Sequence, residues 1–515
     1  MHLRPSYCLI LTLFAVIMPS SLNARVLPQE RVYTATDRDV YICGEEIRCS
    51  LFCVNATTGL LSDASAVAYL ELSDANGTVA RAKAAMNGGR GAAALSVPTR
   101  LATGNYTLVA YTMSGSKASM SGRTISIFNT ETAARMSGGV KVMQEAEYAA
   151  LPLPVRKLTD GISMTTEDTG DGDRVLRIAN HRNGTYMLSL SVHRRDGIVA
   201  PQNDGIVDFL DGLHDGEPSL APELEGEVIH GHTDSGSDMA MLSSMGDISN
   251  IYYAPVSEDG CFEFSTSNIF GSKDLVIRTS SAGTTVIEEN FVGAHGYEVP
   301  TLPICATLEN SLLWRKTYSK SGTRYSVGNE NGSPFGAPDR IFMLDDYSRF
   351  PSVAETILEF VTDVYVRGSV ISVRSNGSLS PDKSLVMLDG VPYSDHERIL
   401  SVNPQLLKSI EVYNHDIIIG GMLFKGAVNF TSFKGRLPKD RLQDDMTRIQ
   451  FNGTCTPFAE SNPDGFTLFW HPLLELQAGS EIQIKIPSCS GPCIIIAEGM
   501  DSSGHPVCHI TSYCQ

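Results

Sequence analysis

Two histidines and an aspartate near the middle of the chain have the most suggestive spacing for chemistry. His230 and His232 are two residues apart, so a β-strand would place both imidazoles on one face, and Asp234 follows two positions later. Imidazole nitrogens and carboxylate oxygens are typical zinc ligands. A solvated strand end explains the same residues, and we favour that interpretation over a metal site.

Carboxylates that could serve acid-base catalysis occur at Asp345-Asp346 and at Glu355 with Glu359. Such catalysis needs a pocket that holds the acid and the base, whereas solvated helix faces carry carboxylates by default. His471 is expected to pack beside Trp470. The chain has no nucleophile elbow, Walker loop, zinc-protease helix or dinucleotide fingerprint. We therefore predict a protein that is not an enzyme and that uses no cofactor or metal.

The cysteines suit an oxidising compartment. The chain has 11 of them, and Cys8 lies in the segment that we expect to be removed. Cys489 and Cys493 flank a Ser-Gly-Pro turn that could bring them within bonding distance, so we predict a local disulfide between them. Cys49 and Cys53 lie on one face of a strand-like run and are as well explained as small buried hydrophobes.

The N-terminus predicts export. A short basic start, an apolar run at residues 8–18 and a small residue at Ala24 give the layout of a signal peptide over residues 1–24. No later stretch has the ~18 apolar residues of a membrane helix, so we expect at most peripheral attachment to the outer membrane. The net charge of −18, with no visible basic patch, argues against nucleic acid or anionic lipid as partners.

Short alternating strands separated by turn residues predict a β-sandwich over residues 25–132. The Gly44-Glu45 pair and the strand beginning at Gly104 resemble elements of the MG2 macroglobulin domain of bacterial surface proteins. Residues 133–172 are polar and rich in breakers, which indicates a linker. A second β unit with a loop is expected over residues 173–222.

Another small sandwich is expected over residues 223–300, followed by a linker over residues 301–346. The Asp259-Gly260 turn of this sandwich leads into a strand with Phe262 and Phe264. This pattern resembles carboxypeptidase-regulatory-like domains of the transthyretin-like fold. Such domains carry no peptidase activity.

Residues 347–436 resemble the α/β plug domain of TonB-dependent receptors. A capped helix beginning at Ser352 is followed by strands, a tight turn and a glycine-rich turn in the order of that family. The motif residues are expected to be scaffold and not an active site, and they are Leu388, Asp389, Gly390, Val391, Pro392, Ile410, Glu411, Val412, Gly420 and Gly426. Too few residues follow for the barrel that surrounds such plugs.

We assign residues 437–515 to a small C-terminal β domain. The predicted fold class is therefore mainly β, with tandem Ig-like and transthyretin-like sandwiches followed by the plug-like domain and this last unit. The combination resembles envelope proteins of Bacteroidota. Our leading hypothesis is an exported adaptor in the periplasm or at the outer membrane, whose plug-like domain binds another envelope protein. The alternatives are a receptor accessory that binds a small solute or glycan, and an envelope hydrolase.

Overall fold

The structure is a computed structural model that describes residues 29–115, 120–129, 140–157, 161–169, 174–195, 197–214, 220–246, 251–267, 269–293, 304–307, 325–326, 335–380, 383–419, 422–462, 464–487 and 491–513. The predicted signal peptide lies outside these ranges, as do Gly420 and Cys489. The prediction of a mainly β chain is confirmed. No helix in the described ranges is both long enough and apolar enough to cross a membrane.

The first eight strands form a sheet that folds over on itself, which we call the N-terminal sandwich. They are β1 (Glu30–Thr36), β2 (Val40–Ile42), β3 (Glu46–Asn55), β4 (Val67–Asp74), β5 (Gly77–Asn87), β6 (Arg90–Ser96), β7 (Gly104–Tyr111) and β8 (Gly122–Phe128). Their order is β1-β3-β6-β5-β4-β7-β8-β2. Alternate residues of β3, among them Cys49 and Cys53 with free thiols, share one core with alternate residues of β4, β7 and β8.

The next segment contains more structure than a linker. Its elements are β9 (Val140–Val142), α1 (Glu145–Ala149), β10 (Arg156–Lys157), β11 (Ile162–Asp168), β12 (Arg174–Asn180), β13 (Tyr186–Arg194) and α2 (Ile206–Asp211). The assignment of residues 133–172 to a linker is wrong for β11, which pairs with β12 along its whole length. Ile162 is buried in the core at the start of that strand.

Six strands build most of a second, smaller sandwich. They are β14 (Val228–Thr233), β15 (Met239–Ser244), β16 (Ile251–Pro255), β17 (Cys261–Ser265), β18 (Ser272–Thr279) and β19 (Thr285–Glu288). One layer has the order β17-β14-β19, and β15 lies between β16 and β18 in the other. Phe262 and Phe264 point into the core between the layers, as the Asp-Gly turn and alternating strand predict.

A mixed α/β unit follows. Its elements, with the short strands that precede it, are β20 (Ile304–Ala306), β21 (Tyr325–Ser326), β22 (Arg340–Met343), α3 (Val353–Phe360), β23 (Val364–Arg367), β24 (Val370–Ser375), β25 (Ser378–Leu379), β26 (Leu385–Leu388), β27 (Val391–Pro392), α4 (Glu397–Leu400), β28 (Leu407–Ile419) and β29 (Met422–Ser432). The main sheet has the order β22-β28-β29-β26-β27. Because β22 belongs to this sheet, the expected linker over residues 301–346 extends too far.

The last strands return to earlier parts of the chain. They are β30 (Met446–Asn452), β31 (Thr456–Pro457), β32 (Glu460–Ser461), β33 (Thr467–Leu476), β34 (Glu481–Ile486), β35 (Cys493–Asp501) and β36 (Pro506–Tyr513). Strand β30 pairs with β18 and completes the small sandwich. Strand β34 pairs with β12, and β33 and β35 pair with the two edges of β13.

Residues 173–222 and 437–515 therefore do not form the two separate units that the sequence indicated. Their sheets, β10-β36-β35-β13-β33-β32 and β11-β12-β34, enclose one core, and we call this the split sandwich. The physical reason is that β12 and β13 cannot cover their apolar faces as a pair. Tyr33 on β1 donates a hydrogen bond to Glu498 on β35 over 2.9 Å, so the N-terminal sandwich also contacts this unit.

Candidate binding site

The predicted Asp-Gly turn joins β26 to β27 and is fully buried. Asp389 has φ of 48° and Gly390 has φ of 76°, which is left-handed backbone that favours Asp and Gly. One carboxylate oxygen of Asp389 accepts the Ser432 N–H over 2.6 Å. The other accepts the Ser432 hydroxyl over 2.7 Å and the Leu437 N–H over 2.9 Å. Asp389 thereby fixes the end of β29 and the 3-10 turn that follows it.

A second set of hydrogen bonds continues this network into the sheet. The Gly390 N–H donates to Asn429 Oδ1 over 3.0 Å, and Asn429 Nδ2 donates to Glu411 Oε2 over 3.1 Å. Glu411 also accepts the Thr431 hydroxyl over 3.1 Å. The plug-like motif predicted from the sequence did not include Asn429 or Ser432, although an asparagine inside the apolar run of β29 needs a buried partner.

The other motif residues are core or turn positions. Leu388, Val391, Ile410 and Val412 belong to the core of the α/β unit, and Pro392 pairs with Met387 at the sheet edge. Gly426 has φ of 82°, and a Cβ there would lie 2.8 Å from Val373 Cγ1. The structure thus brings the described motif residues together around one sheet, where each has a structural contact.

The open edge of this sheet is apolar. Strand β22 pairs with β28 through Ile341 and Glu411 and has no second neighbour among the described strands. Ile341 is 56% exposed and Met343 is 38% exposed, while Phe342 between them is buried. Alternation therefore places two apolar side chains on the solvent side of an unpaired edge.

Helix α3 and the loop before it carry further exposed apolar side chains on the side of the sheet where Phe342 packs. Ser352 caps the helix by accepting the Glu355 N–H over 3.2 Å, as the sequence predicts. The Tyr347 ring stacks on Phe360 with centroids 4.1 Å apart. Leu358 is 82% exposed on the outer side of the helix. We define the docking edge as β22 with its exposed side chains Ile341 and Met343.

The β28–β29 hairpin carries a further exposed apolar pair. Ile418 and Leu423 face each other across the ladder and are both exposed. Ile417 and Ile419 point the other way and pack on the small sandwich. One face of the hairpin is therefore fixed while the other meets solvent.

The two histidines that suggested metal binding, His230 and His232, both lie on the exposed side of β14. His230 is exposed and lies 3.6 Å from Glu263, and Asp234 accepts the Thr284 N–H over 2.6 Å. Within the described ranges, no group of three or more His, Cys, Asp and Glu side chains is arranged to hold a metal ion.

The remaining polar candidates have ordinary surroundings. Asp345 pairs with Arg349, and Glu355 and Glu359 are exposed on α3. His471 is half-buried beside the fully buried Trp470, and this burial lowers the pKa of its imidazole. Cys493 is disulfide-bonded, but its predicted partner Cys489 lies outside the described residues, so that pairing stays a prediction.

Comparisons with known proteins assign no family. No family profile and none of the curated proteins match the sequence. A Salmonella alpha-2-macroglobulin is 9% identical with a TM-score of 0.25, and the match covers 94% of this chain and 39% of that one. Native Escherichia coli alpha-2-macroglobulin is 9% identical with a TM-score of 0.17, covering 95% and 22%. The Escherichia coli adhesin FdeC is 10% identical with a TM-score of 0.16, covering 50% and 63%.

This chain spans less than two thirds of the length of each of these three proteins. With TM-scores of 0.25 and below, the likenesses carry no conclusion about family or function.

Proposed function

We propose that this chain is an exported, non-enzymatic binding protein whose α/β unit docks another protein of the cell envelope. The distribution of exposed apolar side chains carries the proposal. Among the described residues, twelve of the twenty large apolar side chains that are exposed lie between positions 341 and 433. Clustered exposed apolar surface marks interaction sites on soluble proteins.

The docking edge favours one kind of occupant, an extended segment of the partner that pairs with β22. An unpaired strand edge offers a row of backbone donors and acceptors, and apolar side chains at alternate positions add specificity. Ile341 and Met343 supply such positions. The resemblance of the ordered motif residues to a receptor plug supports a compact module of this kind.

The test is capture of partners from envelope extracts of the source organism with the whole chain carrying Ile341→Asp. Val286→Asp is the matched control, because Val286 is also 56% exposed and lies on β19, another edge strand. We expect a partner to be retained by wild type and by the control and lost by Ile341→Asp.

Hydrogen exchange on the purified complex tests the strand-addition geometry. Bound partner should slow exchange of the amides in β22 and leave those in β19 unchanged. A partner that binds all three proteins equally, or that leaves β22 exchange unaffected, contradicts the docking edge.

A further inference from the structure

A cationic cleft lies between the small sandwich and the end of the α/β unit. It has a volume of about 480 Å³. Strands β18 and β30 form one wall, and the start of β28, the end of β29 and the turn at Leu437–Asp440 form the other. Its cationic side chains are Lys273, Lys408, Lys434, Arg436, Lys439 and Arg448.

These six cations face one carboxylate in the lining, that of Asp274. Arg448 pairs with Asp274 over 2.7 Å. The five others make no ion pair with a carboxylate among the described residues. The chain as a whole has 58 acidic and 40 basic residues, so this local excess opposes the overall balance.

The cleft corrects the expectation that no basic patch exists. The cations come from separate parts of the sequence: Lys273 precedes Lys408 by more than a hundred positions, and a further segment supplies residues 434–439. Only the pairing of β30 with β18 and the docking of β29 beside them bring these charges together.

The floor of the cleft is held rigidly by the buried network. Ser432 donates its hydroxyl to Asp389 and accepts the Gly435 N–H over 2.9 Å. The Gly246 N–H donates to the Asp389 carbonyl over 2.9 Å, which joins the two walls. Both side-chain oxygens of Asp389 already accept hydrogen bonds from Ser432 and Leu437 beneath the floor of the cleft. The six cations therefore create a local positive potential that attracts an anion.

We propose that this cleft binds phosphorylated saccharides. Phosphate carries up to two charges and three acceptor oxygens, so several separate ammonium groups can contact it at once, whereas a carboxylate is matched best by an arginine fork. Four of the six cations are lysines. The volume lies within the range of small-molecule sites, which leaves room for a sugar as well as its phosphates.

Phe433 provides an apolar surface against which the saccharide can pack. It is 54% exposed in the cleft lining, between Ser432 and Lys434, and a sugar ring can pack against it. A nucleic acid fits less well, because the remaining surface of a chain with net charge −18 repels a long polyanion. The proposal does not depend on the docking edge.

Calorimetric titration of the whole protein with glucose 1,6-bisphosphate at low salt provides the first test. The double variant Lys408→Gln/Lys434→Gln should bind about tenfold more weakly or worse, because each lysine supplies a charge-assisted hydrogen bond. Lys141→Gln/Lys383→Gln is the matched control, since it removes two exposed lysines outside the cleft. It should bind as wild type does.

Two further probes identify what is recognised. Phe433→Ala should weaken binding of the sugar phosphate and leave binding of pyrophosphate unchanged. Binding to the free sugar phosphate identifies a soluble ligand, and binding only to vesicles that carry a phosphorylated glycolipid identifies a lipid headgroup. Either result supports the proposal. Absence of binding to both, equal losses in the two double variants, or no effect of Phe433→Ala overturns it.

Discussion

Glu223 is a buried carboxyl at the junction of the N-terminal and small sandwiches. One of its oxygens accepts the Tyr69 hydroxyl and the Val228 N–H, both over 2.8 Å. The other is buried and has no hydrogen-bond partner in the described structure. Burial is the main cause that raises the pKa of this carboxyl to about 7. The hydrogen bonds from Val228 and Tyr69 and the charge of Lys83 oppose the rise, and Glu227 adds to it.

This raised pKa predicts that the junction weakens as pH rises. The folded protein keeps a proton that the unfolded chain releases near pH 4.5, so the stabilisation is complete below that pH and is lost as pH rises through about 7. The full loss is about 3 kcal/mol at 1.36 kcal/mol per pKa unit. Glu223→Gln should abolish most of this pH-dependent loss, because the amide oxygen still accepts the hydrogen bonds from Tyr69 and Val228.

Hydrogen exchange at the Val228 amide, corrected for intrinsic rates, measures this local opening. Wild type should lose protection between pH 5 and pH 8, whereas Glu223→Gln should not. Glu225→Gln is the control, since Glu225 is exposed. A variant that follows the wild-type pH profile would contradict the role of Glu223.

The Asp-Gly turn yields a second prediction for a single residue. Gly390→Val forces a β-branched side chain into left-handed backbone at a buried position, which costs about 1–3 kcal/mol in strain and a similar amount in overpacking. Gly377 is the matched control, because its φ is 77° but nothing lies within 4 Å of a Cβ there. Thermal unfolding of the α/β unit should therefore shift more for Gly390→Val than for Gly377→Val. Equal shifts would show that the turn tolerates the side chain.

Helix α3 is the element that local sequence specified best. Its Ser352 cap was predicted, and Val353 and Ile357 face the core at helical spacing. Ser352→Ala removes the acceptor of the Glu355 N–H and should destabilise the α/β unit by about 1 kcal/mol. Ser394→Ala serves as the control at an exposed position outside the helix. If hydrogen exchange in α3 is equally fast in Ser352→Ala and in wild type, the stabilising role of the Ser352 cap is contradicted.

Local signals were sufficient where the stabilising partners are near in sequence. The Asp389-Gly390 turn and the alternation of Phe262 and Phe264 specify their own backbone through steric preference and burial. Strand β11 was missed because Ile162 and Met164 stand among polar residues and find their core only through β12. Strand β22 was missed for a related reason, since only its pairing with β28 identifies it.

The split sandwich shows the limit of sequence reasoning for the whole molecule. Asn180 on β12 donates to the carbonyl of Leu476 across 296 positions. Turn residues and alternation indicate that each strand exists, but they do not state which distant strand completes its sheet. The same limit hid the cationic cleft, whose walls come from two units.

A truncated chain tests the split sandwich. A protein ending at residue 462 lacks β33 and β35, so β13 loses both neighbours. Hydrogen exchange in β13 should become nearly as fast as in an unfolded chain, while β3 of the N-terminal sandwich stays protected by β1 and β6. Retained protection in β13 would mean that residues 173–222 fold independently, as the sequence first indicated.

The strands of the split sandwich are separated in the sequence, so they are synthesised at different times. Chains emerge from synthesis with the N-terminal part first, so β13 is present long before β33 and β35. During that interval only β11 and β12 of the opposite layer can cover Leu188, Leu190 and Val192, and β13 has two unpaired edges. Folding of the small sandwich and the α/β unit draws the ends of the intervening chain together and lowers the entropy cost of closing the sheet. The folding of the inserted units therefore determines how long β13 stays without β33 and β35. Slowing that folding should lengthen the interval in which the nascent protein can aggregate.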